Sequence, residues 1–428
     1  FGERLCSDSL TGEALIGANV FFKDAGFGAS TNAKGFWVVP NLPSGKHSLV
    51  ISYVGYTTQT LQIDISSKNQ MLKIRLLPSS VETKEVIVSA DSIPLAEKLY
   101  SKPVSKIELN AIQVNSIPKM VEADLLRALQ TLPGIMALSD FSSALYVRGG
   151  TPDQNLYLVD GTDVYNPEHA FGIFSTFNTN AIKKVELSKG GFGAEYGGRL
   201  SSILDVTNLD GNRNNFEGIV NISLISASAT LQTPLGSSGS LSGSLRRTYI
   251  DQTYAEFVEE IPDYYFYDGN LKAFFDLGNS DKLSFSFFRS QDNLDFKLDK
   301  DARDSFGFLY RWGNTTGSLN WTHIFGNNLF SNFIAAASYY KSEFDMPKIQ
   351  NVSEFNDISD FSLKGSLEYY ILNNLNLKFG LENKFIKSTY RQTWDDGLVD
   401  ITETRNHFNS YLSAIWRPVQ DLELESGL

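Results

Sequence analysis

The sequence is short of the two residue types that most often build metal centres and catalytic sites. Its 428 residues include one cysteine, Cys6, and four histidines, His47, His169, His323 and His407. A single cysteine excludes a disulfide bond within the chain. The histidines are scattered, and none stands at the spacing of a metal-binding or nucleophilic motif. We therefore predict no metal, no cofactor and no catalytic residue, and we do not expect an enzyme.

Positive charge and long apolar runs are also scarce. The 37 Lys and Arg residues are outnumbered by 49 Asp and Glu residues, and the net charge of −12 argues against nucleic acid as a partner. No window approaches the roughly 20 consecutive apolar residues that a transmembrane helix needs. A transmembrane β-barrel leaves no such run, because every second residue of each strand faces the lumen. The scarcity of apolar runs is therefore compatible with a location in a membrane.

The second half of the chain has aromatic, alternating strands instead. Aromatic residues make up 13% of the sequence, which favours β-structure. From residue 216 onward apolar and polar residues alternate, as Phe361 and Leu363 do with Ser362 and Lys364. Short turns alternate with longer polar stretches, at roughly 251–265, 291–305, 344–358 and 392–404. This pattern is typical of a transmembrane β-barrel, and we count about ten strands in residues 216–428.

The first half divides into three segments. In residues 1–79, short β-branched and aromatic runs separated by Gly, Asn and Pro turns predict a small β-sandwich. Residues 80–105 have the composition of a linker with one extended segment, Val81–Ala90. Residues 106–215 combine a helical pattern, Val121–Ile135, with strands that end in Gly-containing turns, which indicates an α+β domain.

Four short motifs follow one another closely in this α+β domain. They are VRGG at Val147–Gly150, LVDG at Leu158–Gly161, VELSKG at Val185–Gly190 and YGGR at Tyr196–Arg199. In this order they resemble the plug domain of TonB-dependent outer-membrane receptors, the energised import pores of Gram-negative bacteria. Residues 1–79 resemble the carboxypeptidase regulatory-like domain that precedes the plug in many such receptors of Bacteroidetes. That domain shares its name with an enzyme family, but a shared fold implies no chemistry.

The resemblance implies a fold and a location. The expected architecture is mainly β, with a regulatory-like sandwich (1–79), a linker (80–105), a plug (106–215) and the first strands of a large antiparallel transmembrane barrel (216–428). Barrels that hold a plug have about 22 strands, so we expect a longer protein or a second segment to complete this one. The expected location is the bacterial outer membrane, with the N-terminal domain in the periplasm.

The resemblance also implies an energy-coupling segment and a set of plug turns. By its position between the two domains, the segment 85–90 matches the TonB box, which pairs as a strand with a partner; an ordinary strand is the alternative. Its residues are Glu85, Val86, Ile87, Val88, Ser89 and Ala90. The plug motif comprises Gly149, Gly150, Asp160, Gly161, Gly197 and Gly198.

Two arginines and three other plug residues are assigned roles by the same resemblance. Arg199, in the YGGR motif, and Arg148, in VRGG, are expected to anchor the plug to carboxylates of the barrel; the alternative is that they are plain surface arginines. Tyr165, His169 and Phe171 lie in a polar and aromatic stretch next to the expected extracellular vestibule. They are the candidate ligand-binding residues.

Two residue clusters of the second half keep alternative interpretations. The carboxylates of one are interpreted as a solvated external loop rather than a cation site: Asp292, Asp295, Asp299, Asp301 and Asp304. The aromatic run Tyr264–Tyr267 fits either contact with a ligand or an aromatic girdle at the membrane interface.

The function implied is active uptake of a scarce, bulky solute, which could be a siderophore, cobalamin, a peptide or a glycan. The expected partners are a TonB-type energy transducer in the inner membrane, the extracellular solute and outer-membrane lipid, with a surface lipoprotein or other outer-membrane subunits as further partners. The alternative function is that of a non-transporting structural or accessory subunit of an outer-membrane assembly.

Overall fold

The structure is a computed structural model of the 428-residue chain. It describes residues 4–32, 34–39, 42–65, 72–79, 105–115, 122–137, 139, 142–254, 258, 262–278, 280–298, 306–326, 328–346, 351–372, 374–395, 397–419 and 422–428. Among the described residues, no helix is long and apolar enough to cross a membrane.

The N-terminal domain is a small β-structure around one core. A parallel pair, β1 with β6, lies beside a four-stranded sheet of order β3-β2-β4-β5. Its core includes Cys6, Trp37, Leu49 and Ile51, all almost fully buried. The strands are β1 (Arg4–Asp8), β2 (Asn19–Phe22), β3 (Phe27–Ser30), β4 (Lys46–Ser52), β5 (Gln59–Asp64) and β6 (Leu72–Leu76).

The plug domain is built on a five-stranded mixed sheet of order β11-β10-β15-β14-β7. Two short helices, α1 (Ala111–Asn115) and α2 (Leu125–Gln130), accompany the sheet. Its strands, with two further short pairs, are β7 (Lys106–Asn110), β8 (Ile135–Met136), β9 (Tyr146–Val147), β10 (Asn155–Val159), β11 (Thr162–Asp163), β12 (Glu168–His169), β13 (Phe174–Ser175), β14 (Ile182–Ser188) and β15 (Ser202–Asn208).

Helix α2 confirms the predicted helical pattern over a shorter span. It begins at the N-cap Asp124, whose side chain accepts a hydrogen bond from the Arg127 amide. Leu125, Leu126 and Leu129 form its buried face and pack in the core of the plug. The pattern did not indicate helix α1.

A wall of long strands follows the plug. In the described part of the chain, eleven antiparallel strands pair in chain order from β16 to β26, close to the ten predicted. They are β16 (Glu217–Ile222), β17 (Ser226–Leu235), β18 (Gly239–Thr248), β19 (Asp263–Asp276), β20 (Asp281–Lys297), β21 (Gly307–Ile324), β22 (Leu329–Met346), β23 (Val352–Leu372), β24 (Leu375–Trp394), β25 (Gly397–Val419) and β26 (Leu422–Gly427).

The connections make the two ends of the wall different. At one end, which we call the short-turn end, the strands are joined by 236–238, 277–280, 325–328, 373–374 and 420–421. At the other, the long-loop end, the connections are 223–225, 249–262, 298–306, 347–351 and 395–396, and three of these are longer than any at the short-turn end. Short turns at one end and longer loops at the other are characteristic of outer-membrane barrels.

Two of the predicted external loops are largely strand, and so is the first part of a third. Strand β22 continues to Met346, β23 begins at Val352 and β25 begins at Gly397, so most of 344–358 and 392–404 pairs in the wall, and β20 adds residues 291–297. The prediction was wrong because polar residues were read as loop. About ten residues suffice to cross a bilayer, and β20 to β25 have 17 to 23 residues. Their ends therefore extend into water, where the alternation of apolar and polar residues is lost.

The two faces of the wall have opposite character. Phe361 and Leu363 are 48% and 51% exposed, whereas Ser362 between them is 3% exposed and faces inward. The plug occupies that inner side, and side chains or backbone atoms of the plug domain hydrogen-bond to each strand from β17 to β24. An apolar outer face over a polar, plug-filled interior is the pattern of a lipid-facing barrel wall.

We predict that single cysteines at positions 363 and 362 report opposite environments. The two positions have almost the same depth in the wall. A fluorophore on Leu363→Cys should be quenched by lipid-borne nitroxides, whereas Ser362→Cys should be protected, because its side chain faces the lumen. Equal quenching at both positions would show that the outer face does not contact lipid.

Candidate functional site: the plug–wall interface

The LVDG motif forms a tight turn whose tip abuts the wall. Asp160 and Gly161 both have positive φ, +47° and +81°, as a two-residue hairpin between β10 and β11 requires. A Cβ at Gly161 would lie 3.1 Å from the Cδ1 atom of Ile334. The turn therefore brings the Asp160 carboxylate to the inner face of the wall, and glycine allows this close approach.

Lys272 of β19 receives that carboxylate. Its Nζ atom lies 2.7 Å from Oδ1 of Asp160 and 3.1 Å from Oδ1 of Asp210, and it donates to the Asn208 carbonyl. Lys183, on the plug strand β14, forms a second ion pair with Asp210 at 2.5 Å. Burial would raise the pKa of Asp210, but Lys183 and Lys272 outweigh this effect and hold its pKa well below the usual range.

A second lysine of the wall contacts the plug at β11, the strand that follows the LVDG turn. The Nζ atom of Lys384 on β24 is 2.5 Å from Asp163 and 2.9 Å from Asp360, so one lysine joins a plug carboxylate to a wall carboxylate. The Tyr165 hydroxyl donates to Asp360 at 2.7 Å. Burial and the neighbouring Asp360 raise the pKa of Tyr165, so the phenol stays protonated and remains a donor.

His169 makes the most completely buried contact between plug and wall. Its ring is fully buried, and Nδ1 lies 2.6 Å from Oδ2 of Asp292 while Nε2 lies 3.5 Å from Oδ2 of Asp268. The ring also stacks on Phe266, with centroids 4.0 Å apart. Burial lowers the pKa of His169, but the two aspartates dominate and raise it above the ordinary value. The imidazolium is therefore the stabilised form.

Arg246 of β18 extends this network to the beginning of the plug. Its Nε atom is 2.6 Å from Asp268, its Nη1 atom is 3.3 Å from Glu122, and its Nη2 atom donates to the Ser175 carbonyl at 2.7 Å. Glu122 also accepts a hydrogen bond from the hydroxyl of Ser226. A planar guanidinium suits such a site, because it presents several donors in fixed directions.

An aromatic platform lies beside this network, towards the long-loop end. Phe171 is 64% exposed, stacks on Tyr310 at 6.0 Å and tilts against Trp312 at 5.0 Å between ring centroids. The turn that presents it is strained, since Ala170, Phe171 and Gly172 all have positive φ. The wall thus holds an exposed aromatic side chain of the plug above the buried His169.

The three candidate ligand-binding residues therefore have different surroundings. Phe171 faces solvent, whereas Tyr165 and His169 are tied to wall carboxylates. A solute could reach the His169 ring only if the plug moved. The aromatic run Tyr264–Tyr267 does not lie in one environment either, because Tyr264 and Phe266 face inward and are buried. Asp292, expected in a solvated loop, lies in strand β20 and is 1% exposed.

The two arginines expected to anchor the plug have other contacts. Arg199 donates to the backbone carbonyls of Asn155 and Gly198, both within the plug. Arg148 has a positive φ of 46° and an exposed side chain. These contacts do not include the predicted barrel carboxylates, and the anchor role of the two arginines stays a prediction.

The remaining predicted residues are turn glycines and the linker segment. Gly149 and Gly198 have positive φ, and a Cβ at Gly150 would collide with the Ser201 side chain at 2.4 Å. Gly197 has open space around it. The proposed TonB box, 85–90, lies outside the described residues. In the described ranges, no group of three or more His, Cys, Asp or Glu residues could hold a metal ion.

Sequence reasoning missed the basic residues of the wall. It named Arg148 and Arg199 of the plug as the anchoring cations and did not foresee that Lys272 and Lys384 of the wall meet Asp160 and Asp163 of the plug. One signal was available: Lys272 alternates with Leu271 and Ala273, and Lys384 with Phe385, which places both lysines on the lumenal face of amphipathic strands.

Comparison with known proteins agrees with this architecture. The family described as CarboxypepD_reg-like domain matches residues 6–88, and the TonB-dependent Receptor Plug Domain matches residues 105–202. The chain therefore carries the plug of TonB-dependent receptors behind a carboxypeptidase regulatory-like domain, which confirms the resemblance seen in the motifs. No curated protein matches the chain in a sequence search.

Three solved structures, among them an uptake receptor and an outer membrane transporter, share the fold. The ferric yersiniabactin uptake receptor FyuA of Yersinia pestis has a TM-score of 0.52 at 11% identity, over 76% of this chain and 63% of its own. The Escherichia coli outer membrane transporter YddB gives 0.57 at 10%, over 76% and 56%. Pseudomonas aeruginosa FpvA, bound to a heterologous pyoverdine and iron, gives 0.57 at 16%, over 76% and 51%. The chain thus spans between half and two thirds of these structures.

We predict that Lys384→Met loosens the plug. The substitution leaves Asp163 and Asp360 without their shared cation in a confined lumen, which should cost on the order of 3 kcal/mol of plug docking. Hydrogen exchange of the β11 amides should speed up accordingly. Lys387→Met is the matched control, because Lys387 is on the same strand but exposed on the opposite face. Similar exchange in both variants would contradict the role of Lys384.

We also predict that the docking of the plug weakens as the pH rises. A raised pKa means that the His169 contribution is complete below the ordinary value of about 6.5 and is lost as the pH rises through the raised value. Exchange of the β12 and β13 amides, corrected for intrinsic rates, should therefore report lower protection at higher pH. In His169→Gln this loss of protection should be absent. A parent protein that behaves like His169→Gln would refute the prediction.

Proposed function

We propose that this protein is a TonB-dependent outer-membrane transporter that takes up a scarce, bulky extracellular solute without an enzymatic step. The observation that carries the proposal is a plug domain held inside a lipid-facing strand wall by buried ion pairs at Asp160, Asp163 and His169. A plug that fills the lumen prevents free diffusion, so passage requires that the plug be rearranged.

The chemistry of these contacts suits a plug that must be both held and released. A buried ion pair contributes little net free energy, because desolvation opposes the attraction, yet separating its partners is costly. The contacts at Lys272, Lys384 and Arg246 therefore keep the plug in one position. Once a pull admits water to them, hydration compensates for the lost partners, and the remaining barrier falls.

The two ends of the wall support a periplasmic position for the N-terminal domain. Outer-membrane barrels have their short turns in the periplasm and their longer loops outside. The N-terminal domain packs at the short-turn end, through Phe36 against Phe330. It would therefore lie in the periplasm, together with the segment 85–90 that follows it in sequence. An inner-membrane transducer of the TonB type could then pair with that segment and pull on the plug.

The solute would bind at the opposite end, on the aromatic platform of Phe171, Tyr310 and Trp312. Aromatic faces accept planar or apolar parts of many solutes, so siderophores, cobalamin, peptides and glycans all stay candidates. FyuA is a ferric yersiniabactin uptake receptor and FpvA was solved with a pyoverdine and iron, so an iron–siderophore complex is the first class to test. An accessory subunit without transport activity is the alternative outcome.

The proposal is tested in a deletion strain that is grown on each solute class in turn, followed by variants of the proposed TonB box. Val86→Pro should abolish uptake of the solute so identified and leave its binding to whole cells unchanged, because proline removes a backbone donor from the pairing strand. Val86→Ala is the matched control and should keep most uptake, since it retains the amide.

Two results would contradict the proposal. Growth of the deletion strain on all four solute classes at the rate of the parent would favour the accessory subunit. Unimpaired uptake in Val86→Pro would show that this segment does not couple the protein to an energy transducer.

A further inference from the structure

A polar cavity of about 330 Å³ lies between the plug and the wall. Its wall side is lined by hydroxyl and amide side chains, among them Ser286, Ser318 and Asn320, and its plug side by Asp160 and Asp205. The side-chain oxygen of Asn320 is buried and has no hydrogen-bond partner among the described residues. The cavity therefore has the polarity of a route for water or a hydrophilic solute.

The N-terminal domain supplies the floor of this cavity. Asn32 and Lys34, in the turn before Phe36, belong to its lining although they come from a different domain. Desolvation lowers the pKa of Lys34 to about 8, while Asp210 acts in the opposite direction. The turn is held by Gly35, whose φ is +73° and whose missing Cβ would overlap the Cys6 carbonyl at 2.6 Å.

Apolar contacts fix this floor to the short-turn end of the wall. The ring of Phe36 meets that of Phe330 edge-on, with centroids 4.6 Å apart, and Phe330 packs in turn against Tyr370. Phe36, Val38, Ile324 and Phe330 are all at most 8% exposed and form one small cluster. These are two residues of the N-terminal domain and two of the wall.

Polar contacts fix the same domain to the segment that joins plug and wall. Oε1 of Glu13 accepts the amides of Asp210 at 2.5 Å and Gly211 at 3.1 Å. The amide of Arg213 donates to the Thr11 carbonyl at 2.8 Å. Because Asp210 also pairs with Lys272 and Lys183 inside the lumen, the docking of the domain is connected to the docking of the plug.

We propose that the N-terminal domain is a periplasmic gate, which closes the cavity from below in the resting state and must leave the short-turn end before a solute can exit. Asn32 and Lys34 close the cavity, while Phe36 and Glu13 hold the domain against the wall and the plug–wall segment. The segment 85–90 follows this domain and precedes the plug, so one pull on it acts on both. The role in uptake rests on the proposed transport function, whereas closure of the cavity does not.

The closing experiment measures access to the cavity from the short-turn side. Ser286→Cys, in a Cys6→Ala background, is placed in outer-membrane fragments and exposed to a bulky, membrane-impermeant maleimide. Undocking by Glu13→Ala with Phe36→Ala should raise the labelling rate about tenfold or more, because labelling follows the population of the open form.

Ser237→Cys, in the exposed turn 236–238, is the control and should label at the same rate with and without the two undocking substitutions. Unchanged labelling at position 286 would overturn the gate.

Cys6 reports whether the domain stays folded. It is fully buried in the domain core, so in a chain without other cysteines it should stay unreactive after undocking.

If Cys6 becomes reactive, the two substitutions have unfolded the domain, and a second experiment that keeps the domain folded decides the question. Phe36→Cys with Phe330→Cys, joined by a short bismaleimide in the Cys6→Ala background, should still bind the solute identified above but lose its uptake. Uptake by the joined protein at the rate of the unjoined one would overturn the gate and leave the proposed transport function standing.

Discussion

The plug–wall interface depends on one constraint, which is that a charge taken out of water needs a partner of opposite sign. Lys272, Lys384 and Arg246 of the wall and His169 of the plug are largely buried, and each is within ion-pair distance of a carboxylate across the interface. An unpaired charge in such a place would cost far more free energy than a pair contributes. The position and orientation of the plug in the structure are governed by this requirement.

The constraint also explains the arrangement of the plug turns. The LVDG turn uses two left-handed residues to bring Asp160 to Lys272, and the turn at Ala170–Gly172 follows directly after His169. Strained backbone at these two places is compatible with a stable fold because the wall supplies fixed partners. The same strain presents Phe171 to the long-loop end, so the buried network and the exposed platform share one short segment.

The three parts of the protein are connected through a few residues. Asp210 pairs with Lys183 of the plug and Lys272 of the wall, while its amide is held by Glu13 of the N-terminal domain. A movement of any of these elements changes the surroundings of the other two. This arrangement gives a physical path by which force on the segment between the N-terminal domain and the plug could reach the lumen, with no need for a long-range conformational signal.

The sequence by itself determined the type of the wall strands, of the plug turns and of helix α2. Period-two alternation identified the wall and its outward face, glycine-rich motifs identified the plug turns, and the spacing of Leu125, Leu126 and Leu129 identified helix α2. These signals are local, because they follow from the geometry of a single strand, turn or helix. The ends of the long strands were misjudged because, outside the membrane, a strand need not alternate.

Only the tertiary structure decided which charges meet. Asp163 and Lys384 are 221 residues apart, and His169 and Asp292 are 123 apart. No local pattern specifies the register in which the plug sits against the wall, so the cation was assigned to the plug rather than to the strands. The burial of His169 and the closure of the cavity by Asn32 and Lys34 have the same origin. They arise where surfaces of separate segments meet, and burial there is a property of the assembled chain.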